Sequence, residues 1–421
     1  MTTPRIIAAK TVPITPVAKR LVFHIGGYDP ITSHVGAQRR FVREIARFQH
    51  TWSVKAIVNG VEDTADQIRW NVTTTGPDWQ VETDYRLVRW RDVIEAFGRQ
   101  SIGSRICQGI IAFLDFVLTG TLWRYLLTNW RYAGFFLYPF VTFGLLIAAA
   151  FLIGVFAFKI TGSILIATGG GLFGFAAALA GPWRWLHLGD LFDDWIFSRE
   201  YIRHGNSEIE QRLDRLAAEL VAAANNSAAD EILVIGHSLG AVLAVDLLDR
   251  SLKLDPALGW NKNPVTFLSI GSSILKIGLH PKALRFRTTM ERVAMSRAIF
   301  WGDYQALVDP LNFYKSRPMA EMGLSTKYEA TVRVVRFSRM LDDDIYRRIR
   351  LNFFRLHCQF VSGNDRRTSY DYFMLTCGPV SAKSQTLAPD GAMSMIAEDG
   401  ALIASPSCQK AELPGTPGAA A

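Results

Sequence analysis

The strongest constraint on this chain is a fifty-residue stretch from Tyr132 to Gly181 that contains one charged residue, Lys159. A helix needs about 20 mostly apolar residues to cross a bilayer, and two such spans fit here, at about 135–158 and 160–181. The alternative is a helix pair buried in a soluble core, but so long an uncharged run is rare in soluble folds. We therefore predict a transmembrane helical hairpin with a tight turn of a few residues around 159–162.

The charges around this run predict its orientation. Five arginines flank it, and the turn carries only a lysine; the five are Arg124, Arg131, Arg184, Arg199 and Arg203. By the positive-inside rule, both long arms of the chain lie in the cytoplasm. The apolar segment 106–123 carries Asp115, so it is predicted to be an interfacial or amphipathic helix rather than a third span.

The overall composition narrows the class of protein. With 49% hydrophobic residues the chain is not intrinsically disordered. Its four cysteines form no CxxC pair, which argues against a zinc module or a disulfide scaffold. The net charge is +8, and because the arginines cluster beside apolar segments, an anionic membrane surface is the expected partner rather than nucleic acid.

The remaining sequence alternates strand and helix patterns, which predicts an α/β fold with a mostly parallel sheet and helices on both faces. The predicted strands are 20–25, 51–59, 231–235, 265–270, 298–301 and 331–337, and the helices include 36–48, 207–224 and 241–248. We predict four regions: 1–61 and 205–378 as the two parts of the α/β domain, 62–204 as an insertion with the spans, and 379–421 as a disordered tail rich in Ala, Gly, Pro and Ser.

A G-x-S-x-G motif joins a predicted strand to a predicted helix. It reads Gly236-His237-Ser238-Leu239-Gly240, after Ile-Leu-Val-Ile and before Ala-Val-Leu-Ala. A serine on so sharp a turn projects its hydroxyl above the sheet edge and beside a helix N-terminus. The motif predicts a nucleophile elbow; the alternative is a tight turn that merely needs glycine.

With this motif in that context, the chain resembles the α/β-hydrolase superfamily, in particular its lipase and esterase-like members, and among them uncharacterised membrane-anchored bacterial proteins. The resemblance covers about 20–60 and 205–378. It implies a triad in the chain order serine, acid, histidine. Only His280 and His357 follow Ser238, and His280 precedes any plausible acid, which leaves His357 as the general base.

The acid and the oxyanion hole are less constrained. Asp309 precedes a proline and lies eight residues after Trp301, as in the lipase-like pattern, and Asp303 is the alternative acid. The resemblance implies that the Leu239 amide is one oxyanion donor. The second is Gly26 or Gly27, because His24-Ile-Gly-Gly resembles the His-Gly-Gly-Gly motif of esterases.

Together these features predict a membrane-anchored serine hydrolase that cleaves carboxylic esters through a Ser-His-Asp triad and an acyl-enzyme. The expected partners are the lipid bilayer and an ester or lipid acyl substrate, with no metal and no cofactor. The expected location is the inner cell membrane, with the hydrolase domain on the cytoplasmic side. Two alternatives remain: an acyltransferase that uses the same triad, and a non-catalytic membrane scaffold that retains the fold.

Overall fold

A computed structural model describes residues 15–27, 34–90, 92–93, 96, 99–181, 186–260, 263–324 and 327–403. It contains one eight-stranded sheet in the order β2-β3-β4-β1-β5-β6-β7-β8. The strands are β1 Lys19–Ile25, β2 Lys55–Asp63, β3 Gln67–Thr75, β4 Gln80–Val88, β5 Glu231–His237, β6 Val265–Ile270, β7 Ile299–Ala306 and β8 Thr331–Val335. From β4 to β8 the neighbours are parallel, and only the pairs β2–β3 and β3–β4 are antiparallel. The predicted mostly parallel α/β sheet is confirmed.

Sixteen α-helices are described. They are α1 His34–Trp52, α2 Ile102–Leu118, α3 Thr121–Thr128, α4 Trp130–Thr161, α5 Ile164–Ala180, α6 Leu188–Arg203, α7 Ser207–Asn226, α8 Gly240–Leu254, α9 Ile274–Gly278, α10 Leu284–Met295, α11 Pro318–Glu321, α12 Phe337–Met340, α13 Asp343–Ile349, α14 Phe353–Cys358, α15 Tyr372–Cys377 and α16 Ala382–Leu387.

The two faces of the sheet are covered by separate hydrophobic cores. All seven residues of β5 are buried, as expected for a central parallel strand with helices on both sides. On one face the strands pack against apolar residues of α7, α8 and α10. On the other face they pack against α1, α15 and the chain around α16.

The sheet extends further into the sequence than predicted. We expected the insertion to begin at 62, but β3 and β4 lie beyond that point and β4 pairs with β1. In these strands buried residues such as Trp70, Val72, Val81 and Tyr85 alternate with exposed polar ones. That period-two pattern predicts half-buried strands, but the many charged residues within it concealed the signal. The insertion into the sheet therefore begins after Val88.

The predicted disordered tail is wrong for residues 379–403. Val380, Ala382 and Ala392 are buried in the core. The guanidinium of Arg20, which forms a buried ion pair with Glu231, also donates hydrogen bonds to the carbonyls of Gly378 and Val380. Composition suggested disorder, whereas these long-range contacts fix the segment. Residues 404–421 lie outside the described part of the chain.

Helices α4 and α5 occupy the apolar run. Asn129 caps α4, whose C-cap Gly162 adopts a left-handed conformation, and Ser163 caps α5. The two helices pack closely where a Cβ on Gly154 would lie 2.9 Å from the Ala167 carbonyl oxygen. By length and composition α4, with 32 residues, could cross a membrane, whereas α5 is a shorter apolar helix of 17 residues.

The predicted interfacial segment 106–123 is not one helix. Helices α2 and α3 meet at Thr119 and Gly120 and are bent by 68°. Asp115 of α2 forms ion pairs with Arg199 and Arg203 of α6, which fixes α2 to the α/β body. The pair exposes large apolar side chains, namely Ile110, Ile111, Leu114, Leu118, Trp123 and Leu127.

Candidate active site

Ser238 occupies the turn between β5 and α8. Its φ is +55°, a left-handed conformation that a non-glycine residue rarely adopts and that marks a strained turn. Its backbone N–H donates to the Ile270 carbonyl at 3.0 Å. A Cβ on Gly236 would lie 2.3 Å from Ala241 Cα, and one on Gly240 would lie 2.1 Å from the Ile25 carbonyl oxygen. Both motif glycines are therefore required by close packing around the turn.

His357 and Asp309 meet although 48 residues separate them in the chain. His357 lies in α14, after the last strand, and Asp309 lies in the loop after β7. The Nδ1 of His357 is 2.7 Å from Oδ2 of Asp309, and both side chains are buried. The carboxylate also accepts hydrogen bonds from the Leu311 N–H and the Asn312 amide, which hold it in place.

Asp303, the alternative acid, does not reach His357. It is buried within β7, which extends beyond the predicted 298–301 strand. Its carboxylate accepts hydrogen bonds from Ser269 Oγ at 2.5 Å and from Gln305 Nε2 at 2.6 Å. Burial is the main cause that raises the pKa of Asp303 to about 6. The tertiary structure thus pairs the histidine with Asp309.

The other ring nitrogen of His357, Nε2, is buried and is hydrogen-bonded to no described residue, Ser238 included. The ring stacks on His237 with centroids 4.6 Å apart. Burial, with a smaller contribution from His357, holds the pKa of His237 well below its usual value. A neutral His237 adds no charge that would oppose protonation of its neighbour.

The predicted oxyanion loop lies against the elbow. A Cβ on Gly27 would lie 2.7 Å from Ser238 Cβ, so only glycine fits there. Within the described chain, the backbone N–H groups of Gly26, Gly27 and Leu239 donate no hydrogen bond. The Gly26 carbonyl accepts from the Trp90 indole at 2.8 Å, which anchors the loop. Backbone N–H groups beside a serine are the arrangement that a developing oxyanion needs.

One cavity of about 620 Å³ connects these groups. Ser238, His357, Gly26 and Gly27 line it, together with residues of α1, α6 and α13. Tyr132 and Phe135, from the first turns of the long apolar helix α4, complete part of its wall. The candidate site therefore adjoins the base of the apolar hairpin.

The sequence did not indicate every residue of this site. His237 is the variable residue of the motif, so no spacing rule assigns it a role. Tyr85 and Tyr372, which contact His24 in the cavity wall, lie in a strand and a helix that were not predicted. Among the described residues, no group of three or more His, Cys, Asp or Glu side chains is placed to hold a metal ion.

Comparisons of the chain with protein-family models, with curated proteins and with solved structures gave no match.

Proposed function

We propose that this protein is a membrane-anchored serine hydrolase of the α/β-hydrolase type that cleaves carboxylic esters. The observation that carries the proposal is the left-handed Ser238, which shares one cavity with His357, the histidine of a buried histidine–aspartate pair. A serine hydroxyl is a poor nucleophile at neutral pH and needs a base, and the base needs an orienting acid. His357 and Asp309 supply these two functions.

The reaction proceeds through an acyl-enzyme. Ser238 Oγ attacks the ester carbonyl carbon while its proton passes to Nε2 of His357, and Asp309 stabilises the imidazolium through Nδ1–H. The amides of Leu239 and of Gly26 or Gly27 hold the oxyanion. The C–O bond to the alcohol breaks, and the alcohol leaves with the proton from His357. A water molecule, deprotonated by His357, then attacks the acyl carbon and releases the acid and Ser238.

The anchoring part of the proposal depends on the surface of α4 and α5. Beyond Pro139 these helices expose large apolar side chains to their surroundings, among them Phe151 and Phe156 of α4 and Leu165 and Phe173 of α5. A contiguous apolar surface of this kind is unfavourable in water and favourable in lipid. We place the pair in the inner cell membrane and the α/β body on its cytoplasmic face.

The test is labelling of the full chain in membranes with a fluorescent fluorophosphonate. The native chain should be labelled, and Ser238→Ala and His357→Ala should not. Ser272→Ala is the matched control, because Ser272 is a nearby buried serine that does not line the cavity, and it should label normally. Absence of labelling in folded native protein would favour the non-catalytic scaffold. Product analysis with an added alcohol then distinguishes hydrolysis from acyl transfer.

A further inference from the structure

The wall of the cavity contains a histidine that the proposed mechanism does not use. His24, near the end of β1, is 7% exposed and lines the same cavity as Ser238. Its Nδ1 is 2.5 Å from the hydroxyl of Tyr85 and 3.2 Å from that of Tyr372, and the two hydroxyls are 2.5 Å apart. Its Nε2 has no hydrogen-bond partner among the described residues.

These contacts determine which nitrogen of His24 carries the proton. If Tyr372 donates to Tyr85 and Tyr85 donates to Nδ1, every hydroxyl proton has an acceptor. If Nδ1–H donated instead, the chain of bonds would run the other way and leave the Tyr372 proton without an acceptor among these groups. The first arrangement leaves one buried polar group unpaired, the Nε2–H, whereas the second leaves two, the Tyr372 O–H and the Nε2 lone pair, and each costs about 1–3 kcal/mol. The first arrangement is therefore favoured, and it leaves the N–H on Nε2.

The ring is also held uncharged. Burial lowers the pKa of His24 to about 3, so the imidazole is neutral at physiological pH. His24, a residue that lines the cavity, thus carries a neutral N–H donor that no described residue accepts. An acyl group made only of methylenes would leave this buried donor without a partner, whereas an oxygen at the same place would satisfy it.

We propose that the substrate carries a second hydrogen-bond acceptor in its acyl part, near the scissile ester, and that Nε2–H of His24 binds it. This inference rests on the proposed ester hydrolysis and names the class of ester. Sites built to hydrogen-bond a substrate group reject analogues that lack the group, because the site's own polar atom is then left unpaired. His24 would accordingly determine specificity, while Ser238 and His357 perform the chemistry.

The test compares matched esters on the native full chain and on His24→Leu. The probes are p-nitrophenyl hexanoate and three analogues in which an ether oxygen replaces the methylene at the third, fourth or fifth position of the acyl chain. For each analogue, kcat/KM is divided by the value for the hexanoate. Comparing this ratio between the native and variant proteins cancels the intrinsic reactivity of each ester. At one position or more, the native ratio should exceed the His24→Leu ratio by about tenfold.

Two further variants separate binding from a structural role. His24→Gln places an amide N–H close to the position of Nε2 and should retain most of the ether preference. Tyr85→Phe combined with Tyr372→Phe removes the Tyr85 donor to Nδ1 and the Tyr372 hydroxyl that donates to Tyr85, and should reduce the preference. This double variant also serves as the test if His24→Leu does not fold.

The outcomes separate this inference from the proposed function. The inference alone would be overturned if the native and His24→Leu ratios agreed within twofold at all three positions. It would also be overturned alone if Ser238 were labelled but none of the four esters were turned over. Absence of both labelling and turnover in the folded native chain would overturn the proposed function and this inference with it.

Discussion

At the scale of single residues, two buried aspartates close together in the chain have different surroundings. Asp309 accepts hydrogen bonds from a backbone N–H and an amide while it faces His357. Asp303 faces a serine and a glutamine within the sheet, and burial raises its pKa. The first environment suits the partner of a base that becomes charged. The second is an internal polar contact of the strand.

Replacing Asp309 should therefore affect the rate, and replacing Asp303 should not. In Asp309→Asn the Nδ1–H of His357 loses its carboxylate, so kcat for p-nitrophenyl hexanoate should fall about a thousandfold to ten-thousandfold. In Asp303→Asn, kcat per folded molecule should stay within a few-fold of the native value. The measurement is steady-state kinetics, corrected for the folded fraction by circular dichroism. Equal losses in both variants would refute the assignment of the acid.

The raised pKa of Asp303 also predicts a dependence of stability on pH. Its carboxyl titrates near 3.8 when unfolded and near 6 in the folded chain. The folded state therefore binds this proton more tightly, and its contribution to stability is present below pH 4 and is lost as the pH rises through 6. The loss is about 3 kcal/mol. Between pH 4 and 7 the melting temperature of the native chain, measured by thermal unfolding, should fall relative to that of Asp303→Asn. Parallel curves would contradict this prediction.

At the scale of elements, the first turns of α4 support the parts of the chain that carry His357 and Asp309. Tyr132 stacks on Phe313, in the loop that contains Asp309, with ring centroids 4.0 Å apart. Phe135 contacts Phe353 in α14, the helix of His357, at 5.5 Å. The first turns of the apolar helix thus pack against both elements that carry the histidine–aspartate pair, and their packing positions that pair.

Truncation at the base of α4 should accordingly reduce activity, whereas truncation further along the same helix should not. Tyr132→Ala removes a buried ring, a loss of about 3–5 kcal/mol in packing, and should lower kcat/KM at least tenfold. Phe156→Ala changes a ring that is 67% exposed and should leave kcat/KM within twofold. Both are measured in the same detergent or vesicle preparation. A similar effect of the two variants would show that α4 acts only as an anchor.

The close contact between α4 and α5 leads to a second prediction for these elements. Gly154→Val would force a side chain against the Ala167 carbonyl, whereas Gly144 has no atom within 4 Å of an added Cβ. Gly154→Val should therefore lower the melting temperature of the purified protein more than Gly144→Val does. Gly144→Val is the matched control because it places valine in the same helix. Equal melting temperatures would mean that the two helices need not pack closely.

At the scale of the whole molecule, charge and apolar surface are segregated. Arg199 and Arg203 bind Asp115 near the α/β body, while the far end of the hairpin carries Lys159. The exposed apolar surfaces of α2 and α3 adjoin the base of α4 in the chain. This arrangement suits a protein whose body rests on one face of a bilayer while the hairpin enters it.

The proposed topology can be tested with single cysteines in a background in which all four native cysteines are replaced by alanine, because Cys107 among them is an exposed thiol that would otherwise react. Ser163→Cys, at the turn of the hairpin, should react with a membrane-impermeant maleimide in intact cells. Ser207→Cys, in the α/β body, should react only after the cells are permeabilised. If Ser163→Cys also reacted only after permeabilisation, the hairpin would not reach the far side of the membrane.

The sequence by itself determined the features that depend on local pattern. The uncharged run predicted long apolar helices, and β5, Ser238 and α8 form the predicted strand, turn and helix because local sterics and periodicity act over a few residues. The order of Ser238, Asp309 and His357 was likewise available from the motif and the resemblance that it suggested.

Only the tertiary structure decided which distant groups meet. It placed Asp309 rather than Asp303 against His357, added β3 and β4 to the sheet, and fixed the segment after Gly378 through Arg20. It also placed the Tyr372 and Tyr85 hydroxyls against His24. These contacts join residues from tens to hundreds of positions apart, and their energies come from burial and hydrogen bonding across the packed sheet, which no local pattern in the sequence records.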